Sequence, residues 1–482
     1  MSRPRRFFPP EDKAEVVELI RTTGKTIGQV ARELDRTQTA VREWVKRADL
    51  DAGRRTDGLT TAERDELRRL RREVRELREP VGCWPDDQPE GAGVTDILYR
   101  GCAIVDYSTR SLAPEMAVLV TGGRVGWLGP AEEARDPGPG VELVDAGGTT
   151  AVAGMVDAHS HLTLPGGSHW IDRAADPTDR LLVAAEDNAR LLRQAGVRWA
   201  RDVGAPVRDG RALSLTVRDG WRGRAGYPYV RAAGCWLART GSLPSGLPVE
   251  VDDGDALLAA ALGQLDDGAD LVKLYMDGPD RDTSPFTADE VRRVVEAAHA
   301  RGATVTAHSA LLSGARAAVA GGVDALEHGF RLDADLAQAM AARGTALVAT
   351  LAVMESWASF GTTTRLPRFA SAEGRAGLAE RREAAHESVR LAYAAGVLLA
   401  AGTDFGGGSL RANQLAWEVE TLVAAGLDPY DALAAVTVNG GRLLGEPGAG
   451  VLAQGGPADF VLVHGDPLSE PRSLWRVWRT SW

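Results

Sequence analysis

Apolar positions recur along this chain with two different periods, and the change between them divides it. Over residues 11–50 the stretches EDKAEVVELI, TIGQVARELD and TQTAVREWVKRA space their apolar residues as one face of a helix, with Thr26 and Thr37 placed as N-caps. Three short helices are predicted, with a tight turn at Asp35-Arg36 between the second and third. That is a helix-turn-helix pattern. Its third helix presents Gln38, Thr39, Arg42, Glu43 and Lys46, side chains of the types that reach base edges and phosphates in a major groove. The same residues also suit the solvated face of a small helical bundle. Leu67, Leu70, Val74 and Leu77 then make a short zipper-like seam, after which PVGCWPDDQPEGAG ends any helix. The expected organisation is an all-α helix-turn-helix plus a short coiled-coil segment over 1–79, and a linker over 80–93.

Beyond the linker the period shortens to two. Residues 96–130 alternate apolar and polar positions around turn signals, with TGGR as a hairpin turn, and GVLAQGGPADFVLVHGDPL near the other end is also strand-rich. The two flanks, 94–150 and 446–482, are expected to build one small β-sandwich. Between them, over 151–445, short apolar runs alternate with amphipathic helical stretches: VAGMVDA, VRWARDVG, YVRAAG, DLVKLYM, TVTAHS, ALEHG, ALVATLA and LLAAGTD. Eight such runs with intervening helices predict an α/β fold, a (β/α)8 TIM-like barrel.

Composition narrows the setting. In 482 residues, 44% hydrophobic and 26% charged content excludes a fibrous or wholly disordered chain. No apolar stretch approaches the roughly 18 residues that cross a bilayer, and MSRPRRFFPPEDK lacks the apolar segment of a signal peptide. The cytoplasm is therefore the expected location, and a membrane is not an expected partner. Cys83, Cys102 and Cys235 match neither a metal-knuckle spacing nor a disulfide framework. The net charge of -11 is uneven: residues 1–80 hold 20 Lys+Arg against 16 Asp+Glu, and the remainder holds 36 against 51. All eight histidines lie between His159 and His464, so metal or acid–base chemistry belongs to the large part.

In a barrel of this type the chemistry sits at the carboxyl ends of the strands. His159 and His161 end the first run, Lys273 closes DLVK, His308 closes VTAH, His328 closes ALEH and Asp404 closes LLAAGTD. Side chains two apart on a strand point the same way, so both imidazoles of the first run can face one ion. Any one of these residues alone reads as a hydrogen-bonded polar side chain. Together, at successive strand ends, they read as a metal site. Tyr229 and Arg231, two apart on the third run, are candidate substrate contacts, with packing and a structural ion pair as the other reading. Arg201 and Asp202 in WARDVG either meet a substrate carboxylate or brace the metal shell. His169, in the loop LTLPGGSHWIDRA, is either a substrate contact or a surface histidine. No Gly-x-Ser-x-Gly elbow occurs, which disfavours a nucleophilic serine.

The motifs VDAHSH, VKLYMDG, TAHS, EHG and GTD, with the closing GVLAQGGPADFVLVHGDP, resemble the amidohydrolase superfamily over about residues 94–470. Within it the likeness is to the imidazolonepropionase-like and prolidase-like branch of metal-dependent hydrolases. That resemblance implies two divalent metal ions. His159, His161 and Asp404 would hold the more buried one, His308 and His328 the second, and a carboxylated Lys273 would bridge them. Zinc suits such ligands, with manganese and iron as alternatives. The implied reaction is hydrolysis of a C–N bond in a small amide, N-acyl amino acid or dipeptide. A metal-activated hydroxide attacks, and Asp404 carries the proton to the leaving amine. A mononuclear deaminase or cyclic-amide hydrolase is the alternative within the superfamily. Deaminase relatives commonly carry a Glu three residues after the strand-five His, whereas His308 is followed by Ser309, Ala310 and Leu311. Relatives in the peptidase branch often carry a Gly-Gly-His turn after strand three, where this chain reads AGCWLARTGSLPSG. The substrate therefore stays open.

Residues 3–79 resemble the small helix-turn-helix subunit of insertion-sequence transposases. The likeness stops at Pro80, and no catalytic transposase portion follows. An insertion element joined to an enzyme reading frame whose own start lies near Val94 is the expected origin of this arrangement. DNA binding through Gln38, Thr39, Arg42 and Lys46 is the alternative function of another class. The expected partners are a small amide or dipeptide substrate, DNA at residues 1–79 in that alternative, and a second copy of the chain as a homo-oligomer.

Overall fold

The computed structural model of the chain describes residues 10–23, 25–34, 38–52, 54–55, 60–61, 96–136, 138–280 and 282–482. Two compact units result, Met1–Gly93 and Val94–Trp482. In the first, helices α1 (Pro10–Thr23), α2 (Ile27–Glu33) and α3 (Gln38–Asp51) bury Val16, Val30, Ala31 and Val41 among themselves. Thr26 caps α2 as expected: its hydroxyl accepts from the Gln29 N–H at 3.3 Å, and its own N–H donates to Gln29 Oε1 at 2.8 Å. Along α3, Gln38 and Arg42 are exposed and Lys46 is half-buried, with Thr39 and Glu43 on the same helix. The turn at Asp35-Arg36, the Thr37 cap, the zipper seam, the linker and Val94 lie outside the described residues.

The two flanks of the second unit meet in one continuous seven-stranded mixed sheet, where a sandwich was expected. It comprises β1 (Ile97–Asp106), β2 (Ser111–Thr121), β3 (Arg124–Pro130), β4 (Glu142–Asp145), β5 (Thr149–Ala153), β18 (Phe460–His464) and β19 (Val477–Thr480). Irregular register along β1 between Arg100 and Ile104 lets its first half pair with β4 and its second half with β5. The C-terminal flank enters by antiparallel pairing of β18 on β5, and Tyr99 meets Phe460 edge-to-face across the small core.

Each of the eight apolar runs is a strand: β6 (Met155–Ser160), β7 (Val197–Asp202), β10 (Tyr229–Ala232), β13 (Leu271–Tyr275), β14 (Thr304–Ser309), β15 (Ala325–His328), β16 (Ala346–Ala349) and β17 (Leu399–Ala401). Helices alternate with them, and the architecture is TIM-barrel-like α/β. The strands do not close into a single ladder. Two parallel arcs form instead, β10-β7-β6 and β12-β11-β13-β14-β15-β16-β17. At one seam the short strand β11 (Leu237–Arg239), itself paired with β12 (Val249–Val251), occupies the free edge of β13, and β10 meets the residue before β13, where the Asp270 N–H donates to the Ala232 carbonyl at 2.9 Å. At the other, the chain has already left β17 when the Asp404 N–H donates to the His159 carbonyl at 2.8 Å and the His161 N–H to the Phe405 carbonyl at 3.0 Å. A two-stranded ribbon, β8 (Val207–Arg208) with β9 (Arg211–Ala212), completes the set.

A long insert between β16 and β17 carries helices Ala352–Ser359 and Ala372–Ala394. The first starts on a buried carboxylate: Glu418 accepts from the N–H groups of Leu351 at 2.9 Å and Ala352 at 2.6 Å. Burial pushes the Glu418 carboxyl up from 4.5 to about 8, with those two N–H groups pulling the other way. The folded chain therefore keeps this proton while the unfolded chain releases it. The stability it contributes is complete below pH 4.5 and is lost as pH rises through about 8. Thermal melts at pH 5 and pH 8 are expected to show a fall, and Glu418→Gln to make that fall smaller. An unchanged fall in the variant would remove Glu418 as its source.

Candidate metal centre

Strand order brings the predicted ligands around one point. His159 is the penultimate residue of β6 and His161 follows its end, both buried. Their Nε2 atoms lie 3.4 Å and 3.2 Å from the same oxygen, Asp404 Oδ1. The ring of His328, at the end of β15, is centred 4.6 Å from the rings of both His159 and His308. His159, His328 and Asp404 offer ligand atoms within 4.8 Å of one another, close enough to share an ion. Lys273, on β13, is buried at 1% exposure, and its Nζ has no hydrogen-bond partner among the described residues.

The electrostatics suit a cation. Burial lowers the pKa of His159, helped by Lys273, and holds His328 well below the usual imidazole range, helped by His308. Both rings stay neutral, the form that ligates. Burial acts to raise the Asp404 carboxyl, but His159 and His161 outweigh it and keep the group well below the usual carboxylate range. Burial pushes the Lys273 ammonium down to about 8, against the pull of Glu327. Backbone geometry is unusual at the same place. His328 and Asp404 adopt left-handed φ values of +67° and +52°. Such conformations cost roughly 1–3 kcal/mol each and persist where the surroundings impose them. The return of the chain past β6 also needs the absence of side chains: a Cβ on Gly402 would lie 2.2 Å from His159 N, and one on Gly407 2.2 Å from His161 Cδ2.

A second layer fixes each ring. His159 Nδ1 lies 2.7 Å from Glu327 Oε2, His161 Nδ1 2.7 Å from the Gly204 carbonyl, and His328 Nδ1 2.7 Å from Thr350 Oγ1. In all three the Nε2 atom is left as the donor to a metal. His308 is held the other way round, with Nε2 3.3 Å from Asp277 Oδ2 and its ring stacked on Tyr275 at 4.1 Å. Glu327 is wholly buried and accepts from Arg201 and from the Thr306 hydroxyl. Burial would raise its carboxyl, but Arg201, Lys273 and His159 hold it well below the usual range. Arg201 thus braces the shell. So does Asp202, which accepts from the Leu162 and Gly204 N–H groups at 2.9 Å each and steadies the carbonyl that holds His161. Replacing the charge at Glu327 with Glu327→Gln is expected to weaken metal binding by roughly 10- to 100-fold in competition with a chelating dye. Unchanged affinity would mean that shape alone orients His159.

The centre opens into a cavity of about 410 Å³ with apolar walls that include Trp236, Phe330, Met354 and Trp357. The predicted substrate contacts are not brought to it together. His169 is exposed and 3.4 Å from Asp172, while its neighbours Ser168 and Trp170 line the cavity. Tyr229 opens β10, three residues below the strand end, where it packs on Trp199 and under the Arg198 guanidinium. Arg231 pairs with Asp270 and Glu446. Neither residue lines the cavity. Glu327, Tyr275 and Asp277 gained no role from the sequence, although they stand inside the motifs EHG and VKLYMDG. An acid within the four-residue apolar strand ALEH was the available sign.

A His/Asp cluster that could hold a metal ion stands at the strand ends of this TIM-barrel-like fold, where enzymes of that fold carry their chemistry. Residues 150–478 match the model of the amidohydrolase family, and the chain belongs to that family. Family members are generally metal-dependent and hydrolyse C–N bonds. Residues 1–75 match a transposase model, in agreement with the helix-turn-helix reading. An uncharacterized protein of Mycobacterium tuberculosis is 31% identical over 353 residues, 72% of this chain and 88% of its own length. Imidazolonepropionase of Anaeromyxobacter dehalogenans is 28% identical over 394 residues, 74% of this chain and 85% of its own. The crystal structure of a prolidase complexed with N-methylphosphonate-L-proline shares the fold, with a TM-score of 0.68 at 22% identity over 80% of this chain and 98% of that one. Among the described residues no helix is long and apolar enough to cross a membrane.

Proposed function

We propose that the large unit hydrolyses the C–N bond of small amides, N-acyl amino acids and dipeptides among them, at a two-ion centre. His159, His161 and Asp404 would hold one ion, His308 and His328 the other, and a carboxylated Lys273 would serve both. The single observation that carries this reading is the amine of Lys273, buried without a hydrogen-bond partner beside neutral imidazoles. An ammonium cannot ligate a cation. An amine that has added carbon dioxide is an anionic ligand with two oxygens, and it answers both the burial and the missing partner. Two divalent ions held there, zinc by the chemistry of the donors, would supply an electrophile for the carbonyl and a water of lowered pKa.

The chain's own residues do the rest. Asp404 accepts the proton of the water and returns it to the leaving nitrogen. Glu327, Gly204 and Thr350 keep the rings from turning, and the apolar residues of the cavity wall receive the apolar part of a substrate. A deaminase needs an acid to protonate its ring, and Ser309, Ala310 and Leu311 supply none. Elemental analysis of protein grown with bicarbonate, together with release of amine from an amide and dipeptide panel, tests the proposal. About two ions per chain and turnover support it. About one ion, unaffected by Lys273→Ala, turns the reading to a mononuclear deaminase or cyclic-amide hydrolase, and no ion sinks it.

The transposase match favours a second reading for residues 1–75 alone: DNA contact by α3 through Gln38, Thr39, Arg42 and Lys46. A gel shift that weakens steeply with salt supports it, and no shift at low salt removes it.

A further inference from the structure

Two spaces meet at the mouth of the centre. The inner cavity holds the ligands, and an outer groove of about 1090 Å³ lies beside it. Leu311, Arg331, Arg368 and Arg381 line both. The charge of Arg331 is met by Glu380 at 2.8 Å. Arg368 is different. Its guanidinium donates to the Ser168 carbonyl at 2.6 Å and lies 4.7 Å from the centre of the Phe369 ring, both neutral partners. No carboxylate among the described residues pairs with it. One contact thus ties the insert between β16 and β17 to the loop after β6, and it leaves most of the guanidinium's donors for something else.

The surroundings say what that is. The cavity that Arg368 shares with the candidate ligands has a largely apolar wall, with Phe330, Met354, Trp357 and Phe369 in it. Beyond the mouth, the charges that line the outer groove and not the inner cavity include Asp282 and Glu373, with Glu380 held by Arg331 and Arg316 held by Asp333. An anion is therefore favoured at the shared mouth, where Arg368 has no carboxylate partner among the described residues, over the groove outside it. We propose that Arg368 is the specificity-determining residue of the site. It binds a carboxylate at the end of the substrate remote from the scissile amide. The substrate class is then an amide whose bulky apolar part fills the inner cavity and whose anionic end stops at Arg368. The assignment rests on the hydrolase reading for the identity of the scissile bond.

The test compares N-benzoyl-ω-amino acids of increasing chain length with N-benzoylalkylamines of matching length, titrated calorimetrically into the metal-loaded full chain. At the length that spans cavity to mouth, the carboxylate is expected to bind roughly 10- to 100-fold tighter, as a charge-assisted bidentate contact provides. Arg368→Leu is expected to bring the pair to near-equal affinity, and Arg368→Lys to restore part of the preference. Equal binding by the wild type at every length overturns the assignment, as does a preference that survives Arg368→Leu. Thermal melts of both variants report on folding. Benzoate release from the same mixtures reports separately on the hydrolase reading, since carboxylate preference at Arg368 does not depend on turnover.

Discussion

Asp404→Asn is expected to leave the fold in place and to lower kcat by roughly 10²- to 10⁴-fold, the contribution of a positioned acid–base group. Asparagine is the informative choice because Asp404 sits at φ +52°, a conformation that asparagine tolerates and alanine does not. The loop that returns past β6 through the Asp404 N–H and His159 carbonyl therefore keeps its path. What is lost is charge. The oxygen that His159 and His161 both approach becomes neutral and can no longer hold a proton in transit. Metal affinity falls as well, so turnover is to be measured at saturating metal. Activity that recovers with added metal would make Asp404 a ligand alone, and activity within about threefold of wild type would deny it either role.

The strands were legible because buried parallel strands read as short apolar runs, and each of the eight runs is a strand, β10 being the least buried of them. The candidate ligands stood out because a polar residue that closes such a run has few other reasons to be there, and the fold brings His159, His328 and Asp404 close enough to share an ion. What surrounds them did not stand out. Glu327 meets Arg201 across 126 residues of sequence and His159 across 168, distances over which no local pattern carries information. Tyr229 and Arg231 show the limit of period-two spacing. It places two side chains on one side of β10 but does not say which side: Tyr229 packs on Trp199, and Arg231, the penultimate residue of the strand, turns to Asp270 and Glu446. The broken ladder has a similar cause. The strand that claims the edge of β13 is LAR, with VEV paired to its other side, and both are too short to show any period. Arg368 sits in PRF, one turn of helix on an insert, and only the folded chain brings it to the carbonyl of Ser168.

Lys273→Met is expected to reverse its effect on stability according to whether metal is bound. Without metal, the wild type buries an amine that burial drives down to about 8 against the pull of Glu327, with no hydrogen-bond partner among the described residues. At neutral pH the folded state therefore carries a charge that the unfolded chain solvates better. Methionine has similar length and no polar atom, and it should stabilise the metal-free protein by roughly 1–3 kcal/mol. The pH dependence follows from the same shift. The native amine releases its proton near 8 and the unfolded one at 10.5, so the penalty is complete below pH 8 and is relieved as pH rises towards 10.5. The variant should lack that rise. With metal and bicarbonate the order inverts, because a ligand held only by the folded state stabilises it, by about 4 kcal/mol at a thousandfold excess over Kd. The variant has no bridging group through which to gain this. Melts of both proteins, with chelator and with zinc plus bicarbonate, decide the matter. If methionine is the more stable residue in both conditions, Lys273 is a buried amine with no part in the centre. If it is the less stable in both, the amine has a partner that hydrogen-bond geometry does not reveal. Only the crossing of the two curves is the signature of a lysine kept buried for what it becomes when metal arrives.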